Sequence, residues 1–232
     1  MDLEPKDFDV SQLGFNDAKP SDKDEIMHYL ITYFRHDEPN LRALQFSEDE
    51  FRPMAELIVD KSLATPFSTI VRYQGEIVAL MINSLWRRAD KTEDGYSENM
   101  NEKPILGRML DDCHDKFWKL VPETVNTVVY REIGSVRRDF RRKGIARKLI
   151  FCGITPENIQ KYDIGGIVAV NSSFAQQANL RKAGFIALNT IYHKDYKDEN
   201  GQQYYQTDDG TDKMILNFMP TETYLEKLKE QK

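Results

Sequence analysis

The sequence predicts one α/β domain, and a hairpin and two strand–helix junctions carry that prediction. Residues 68–73 and 76–82 are apolar runs on either side of Gln74-Gly75, the pattern of a tight β-hairpin. Residues 127–130, with Ile133, are rich in β-branched and aromatic side chains and read as a strand. A short basic loop follows, then residues 146–151 at helical spacing. Residues 166–170 form a short unbroken apolar run, the kind buried on both faces of a sheet, and a helix follows it to Ala183. Strand, helix, strand, helix in that order is the unit from which α/β domains are built.

The remaining elements follow in order. Residues 8–13 read as a short first strand. Ser21, with Asp24 three positions on, reads as a helix N-cap with its acidic partner. Ile26, Tyr29, Leu30 and Tyr33 recur at helical spacing, and this helix must end before Pro39. Ser47 opens a second helix, with Glu50 at the third position of a capping box and Pro53 inside the first two turns, where it is tolerated. Residues 87–104 are polar and read as a long surface loop, either a lid or a plain connection. Residues 105–120 form an inserted helix that Pro122 closes. The helix after the basic loop ends near Gly153 or continues in pieces to Tyr162, broken at Pro156. Ser172 or Ser173 caps the helix ending at Ala183. Residues 185–192 and 213–218 are the last strands, joined by the polar stretch 195–212, and residues 221–232 form a weak helix.

Composition narrows the function. The chain has 232 residues, enough for one sizeable domain; 40% hydrophobic residues supply a core and 30% charged residues suit a soluble protein. No apolar run is long enough to cross a bilayer, and residues 1–7 are acidic and polar, unlike a leader. The two cysteines, Cys113 and Cys152, cannot make a disulfide framework, which points to a reducing compartment, the cytoplasm. No Cys/His spacing suits a metal site, so none is expected. The net charge is −6, but residues 137–148 hold seven basic residues and one acid, +6, leaving −12 for the rest. Overall acidity argues against general nucleic-acid binding, and the basic island suggests one specific anion. Backbone N–H groups at a strand-to-helix junction suit a phosphate, and Gly144 and Ala146 leave room for it. The competing reading is a solvated basic helix face.

Arg141-x-x-Gly144-x-Ala146 resembles the (Gln/Arg)-x-x-Gly-x-(Gly/Ala) acyl-CoA signature of the GNAT N-acetyltransferase superfamily. Ala183-Gly184-Phe185 resembles the family's Gly-Phe ending of the next helix. Residues 33–39, with Asp37-Glu38-Pro39, resemble the Phe-Phe-x-x-Glu-Pro stretch of the invertebrate arylalkylamine N-acetyltransferases. The resemblance implies one acetyltransferase domain over residues 1–232 with its acyl-CoA-binding core at about 126–185. It implies a GNAT fold: a mixed, mostly antiparallel sheet of six to seven strands with flanking helices and a V-shaped splay between strands 4 and 5. It implies acetyl-CoA as co-substrate, held by Ser135, Val136, Arg141, Arg142, Lys143, Gly144, Ile145, Ala146, Arg147 and Asn171. Glu38 is then the general base, and Ser172 a catalytic serine that assists the amine or the thiolate. A second serine expected four residues later is Gln176. The tyrosine that many relatives use to protonate the CoA thiolate is Leu180 here, so that mechanism needs another residue, such as Tyr192 or Tyr204, to reach in; a thiolate of pKa ~8.5 can also leave unprotonated.

The chemistry is consistent with these roles. An alkylammonium of pKa ~10 has no lone pair until a base removes its proton. A thioester oxygen needs hydrogen-bond donors as it gains charge, and main-chain N–H groups near Ile133–Val136 are the candidates. His36 and His193 are possible relays, and Tyr33, Phe34, Phe46, Phe67 and Trp86 possible contacts for an aryl ring. The expected acceptor is the primary amine of a small arylalkylamine, taken up by a monomer or weak dimer. A polyamine, amino acid or protein-lysine acceptor, or a non-catalytic acyl-CoA-binding regulator, are the alternatives.

Overall fold

The computed structural model describes residues 8–90 and 104–231. Seven strands form one sheet in the order β1-β2-β3-β4-β5-β7-β6. They are β1 (Gly14–Asp17), β2 (Thr69–Tyr73), β3 (Glu76–Arg87), β4 (Thr127–Val136), β5 (Ile164–Asn171), β6 (Ile186–Tyr192) and β7 (Lys213–Pro220). Every neighbouring pair is antiparallel except β4 and β5. The parallel ladder runs from Thr127↔Ile164 to Arg131↔Ala169 and stops. Beyond it, β4 continues along β3 to Val136↔Ala79, and β5 continues along β7 to Asn171↔Ile215. Each strand follows its outer neighbour, so the sheet opens into the expected V.

The hairpin forms as predicted. Gln74 and Gly75 both take positive φ, 51° and 90°, the turn whose twist matches that of the flanking strands. Its second strand runs on to Arg87, because the alternation of Leu80 and Ile82 on one face with Ala79 and Met81 on the other persists. That alternation builds two layers. On one face Leu80, Ile82, Val128, Val168 and Leu216 pack against α1 (Lys23–Tyr29), α4 (Glu48–Leu63) and α5 (Pro104–His114). On the other, Val129, Ile167 and Met219 pack against α8 (Pro156–Lys161), α9 (Phe174–Ala183) and α10 (Thr221–Lys229), while Ala79 and Met81 meet α7 (Ile145–Leu149).

Several local expectations need correction. Residues 8–13 do not form the first strand; Val10–Gln12 is a 3-10 turn capped by Asp9, and the edge strand is β1. Ser21 does not cap α1. It lies in the 3-10 turn Pro20–Asp22, and Asp22 closes that turn on the Lys19 N–H at 2.8 Å. The first helix ends before Pro39 as required, but passes through a π turn (Leu30–Phe34) into α2 (Arg35–Asp37). A further short helix, α3 (Pro39–Ala43), starts at once. Ser47 and Glu50 form the expected capping box, worth about 1 kcal/mol to the helix they open. The inserted helix is two helices, α5 and α6 (Phe117–Leu120), because Lys116 turns left-handed at φ 68°. The polar stretch 87–104, read as either a lid or a plain connection, lies largely outside the described residues.

Candidate active site

The basic loop closes one end of the V. After β4, a 3-10 turn (Arg138–Phe140) leads to Arg142 at φ 61° and Gly144 at φ 78°, and α7 begins. The first N–H groups of a helix have no partner within it, so those of Ile145, Ala146 and Arg147 are the loop's main-chain donors. A Cβ added to Gly144 meets nothing within 4 Å. Glycine is therefore needed here for its backbone angle, and the surface over it is open. Arg142, Gly144 and Arg147 are exposed, whereas Ile145 is buried in the core. Cations around an open glycine fit a diphosphate.

The other basic residues make contacts within the protein. Arg137 pairs with Asp139 at 2.8 Å and Glu76 at 3.1 Å. Lys143 lies over the Phe8 ring and Lys148 over the Phe15 ring. Arg138 and Arg141 converge on one carboxylate, Asp37, whose side chain is 9% exposed; the Arg141 contact is 3.1 Å. Arg141 also donates through Nε to the Val136 carbonyl at 3.1 Å. The phosphate-type loop is thus pinned to the segment that carries Glu38.

Glu38 is no ordinary acidic loop residue. It has extended backbone at the start of α3, and Pro39 supplies the first helical position. One carboxylate oxygen, Oε2, accepts the Leu41 N–H at 2.6 Å. The other, Oε1, accepts the Ser172 hydroxyl at 2.7 Å and the Asn40 amide at 2.9 Å. Glu38 as a residue is half-buried, yet its carboxyl group is enclosed by protein, and that enclosure sets its proton affinity. Burial pushes its pKa above the ordinary carboxylate range, while the hydrogen bonds from Leu41, Ser172 and Asn40 hold it down. Such a carboxyl group is poised to exchange a proton nearer neutrality than an exposed glutamate.

The two serines divide the roles that the sequence left open. Ser173 is the N-cap of α9, its Oγ accepting the Gln176 N–H at 3.4 Å. Ser172, just past β5, reaches Glu38 instead, so the far end of the V and the Glu38 segment meet through one hydrogen bond. Gln176, at the position of the missing second serine, donates to the Gly134 carbonyl of β4 at 3.3 Å and so reaches across the splay. Asn171 is buried at the end of β5, with its amide nitrogen unpartnered. Ser135 lies 3.2 Å from the Tyr29 hydroxyl, whose pKa burial pushes above the ordinary phenol range.

Other candidates fare less well. Leu180 is core, and Tyr192 and Tyr204 are exposed. Phe67 packs edge-on against Tyr162 and Trp86 stacks on Tyr130, so both serve packing. His36 is exposed; His193 is buried beside the Tyr205 ring, and burial pushes its pKa down. Sequence reasoning missed Asn40 and Tyr205. Asn40 follows the recognisable Glu38-Pro39 pair, but Tyr205 lies in a polar stretch with nothing to single it out. Among the described residues there is no cluster of three or more potential metal ligands and no helix long and apolar enough to cross a membrane.

No family model matches the sequence, and no curated protein matches it. Solved structures do. Arylalkylamine N-acetyltransferase 2 from Aedes aegypti superposes with a TM-score of 0.78 at 22% identity, over 90% of this chain and 98% of that one. A mutant agmatine N-acetyltransferase in its apo form gives 0.74 at 12% identity, over 90% and 99%. The Drosophila melanogaster polyamine N-acetyltransferase that forms N-acetylagmatine gives 0.69 at 12% identity, over 90% and 99%. Together with the splayed β4–β5 pair, these likenesses establish the fold as that of the GNAT acetyltransferases.

Proposed function

We propose that the protein is an acetyl-CoA-dependent N-acetyltransferase that moves an acetyl group directly to the primary amine of a small arylalkylamine, with Glu38 as general base. The observation that carries this reading is the Ser172–Glu38 hydrogen bond, which sets an enclosed carboxylate at the mouth of the splay. Acetyl-CoA supplies the acetyl group as a thioester. Arg142, Lys143, Gly144, Ile145, Ala146 and Arg147 bind its diphosphate, and Ser135, Val136 and Asn171 line the path of the CoA pantetheine arm between the strands. Arg141, drawn onto Asp37 and Val136, contributes mainly by shaping the loop.

Glu38 takes a proton from the acceptor's ammonium group. The freed nitrogen forms the C–N bond as the C–S bond breaks, CoA departs as a thiolate, which a pKa of ~8.5 allows without a dedicated acid, and the second proton on the new amide nitrogen passes to that thiolate or to water. Ser172 steadies the carboxylate during this exchange. The Aedes enzyme's name supports an arylalkylamine acceptor. A polyamine is the second reading, supported by the names of the other likenesses and by Asp195, Asp198, Glu199, Asp208, Asp209 and Asp212 in the connection between β6 and β7. Thiol release from acetyl-CoA with tryptamine, dopamine, octopamine, spermidine, agmatine and a lysine peptide tests the assignment. Turnover led by the aromatic amines is expected. Turnover led by spermidine or agmatine favours the second reading, and CoA binding without turnover of any amine contradicts both.

A further inference from the structure

We propose that Asn40 and Tyr205 form a positioning relay that fixes which end of an amide meets the Glu38 carboxylate and thereby sets the pH range in which the base works. The inference rests on Glu38 being the base. Asn40 is 1% exposed and Tyr205 8%. The Tyr205 hydroxyl donates to Asn40 Oδ1 at 2.7 Å, and Asn40 Nδ2 donates to Glu38 Oε1 at 2.9 Å. An ionised carboxylate only accepts hydrogen bonds, so the amide must present its NH2 group to it. The opposite orientation would aim a carbonyl dipole at a negative charge. Oδ1 is then left facing inward, where an unpartnered buried acceptor is costly, and the phenolic proton satisfies it. Every donor in the chain points toward Glu38, so each bond reinforces the next when the carboxylate is charged.

The relay is anchored at its far end. Tyr205 belongs to the stretch between β6 and β7, which is also tied to α3 by Asp208 and Arg42, with Arg42 Nε 2.9 Å from Asp208. The His193 ring backs the Tyr205 ring at 5.1 Å between centroids, and His193 is 2% exposed. The charged and titratable groups around the relay are Asp37 and Arg42 on the Glu38 segment, Arg138 and Arg141 held on Asp37, Asp208 and Asp209 near Arg42, and Tyr196 near Tyr205. The contacts that hold them involve neither the Asn40 nor the Tyr205 side chain. The stretch between β6 and β7 is therefore wired to the base through the Tyr205 phenol.

The test is a 13C titration of the Glu38 carboxyl, assigned by its disappearance in Glu38→Gln, run beside the pH profile of kcat/KM. One hydrogen bond to a charged group is worth about one to two pKa units. Asn40→Ala should therefore raise the Glu38 midpoint by about one unit or more. Tyr205→Phe, which removes one oxygen and keeps the ring, should raise it by about half as much, with the acid limb of kcat/KM moving in step. Midpoints unchanged or lowered in a folded Tyr205→Phe would overturn the relay and leave Tyr205 a packing residue. Full activity in Glu38→Gln would remove the base assignment, while the titration would still decide whether Asn40 and Tyr205 tune that carboxyl.

Discussion

Replacing Gly144 by valine separates what this glycine does for folding from what it does for binding. It sits at φ 78° and ψ −5°, a left-handed conformation that costs an L-residue about 1–2 kcal/mol. A new Cβ there has nothing within 4 Å, so no clash adds to that cost. At about 2–4 °C of Tm per kcal/mol for a domain of this size, the melting temperature should fall by about 2–8 °C and the fold should survive. Binding should suffer far more. Two branched methyls over the loop would push a diphosphate off its N–H donors, and losing two charge-assisted hydrogen bonds at about 1.5 kcal/mol each weakens CoA about 100-fold. Gly144→Ala is the control, with similar backbone strain and less bulk. Scanning calorimetry reads the first effect and isothermal titration with CoA the second. A Gly144→Val protein that binds CoA as tightly as the parent would refute the placement of the diphosphate.

Two more predictions follow from hydrogen bonds and titration. Ser172→Ala removes a donor from Glu38 and should move the acid limb of the kcat/KM profile up by about one unit. Ser173→Ala should cost about 1 kcal/mol of stability through its lost cap and leave that limb in place; the reverse pattern in pH profiles and urea melts would exchange the roles. His114, bonded to Tyr130 at 3.0 Å, has its pKa pushed down to about 3, first by burial and then by Lys61. The unfolded chain takes up this proton at its ordinary value of about 6.5 and the native state does not. Stability therefore falls as pH drops from about 6.5 toward 3. His114→Gln should flatten that fall by up to one proton, measurable as a smaller shift in urea midpoint between pH 7 and pH 5.

The hairpin, the strands from β2 onward and the Ser47 helix were legible because each carries a local signal: a period of two, a glycine in a turn, a cap and its partner. The basic loop was legible for the same reason. The break at Lys116 was not, since a lysine forced left-handed is a consequence of packing the helices around it. At the proposed base, Glu38-Pro39 was readable as a motif, and Ser172 as one of two equivalent hydroxyls. Which serine turned toward Glu38 depended on the register of β5 and the start of α9, which no local pattern fixes. Asp37 as the anchor of Arg138 and Arg141, and Tyr205 as the partner of Asn40, are contacts across 101, 104 and 165 residues of chain. Long-range polar pairs of this kind leave no periodic trace in either partner's neighbourhood.

The most direct measurement is the rate of thiol release from acetyl-CoA with an aromatic amine, followed from pH 6 to 10 in the parent protein and in Glu38→Ala. A buried carboxyl that strips the ammonium proton predicts a steep loss in the variant near neutral pH and a partial recovery near pH 10, where free amine is abundant. Parallel profiles of equal height would contradict it.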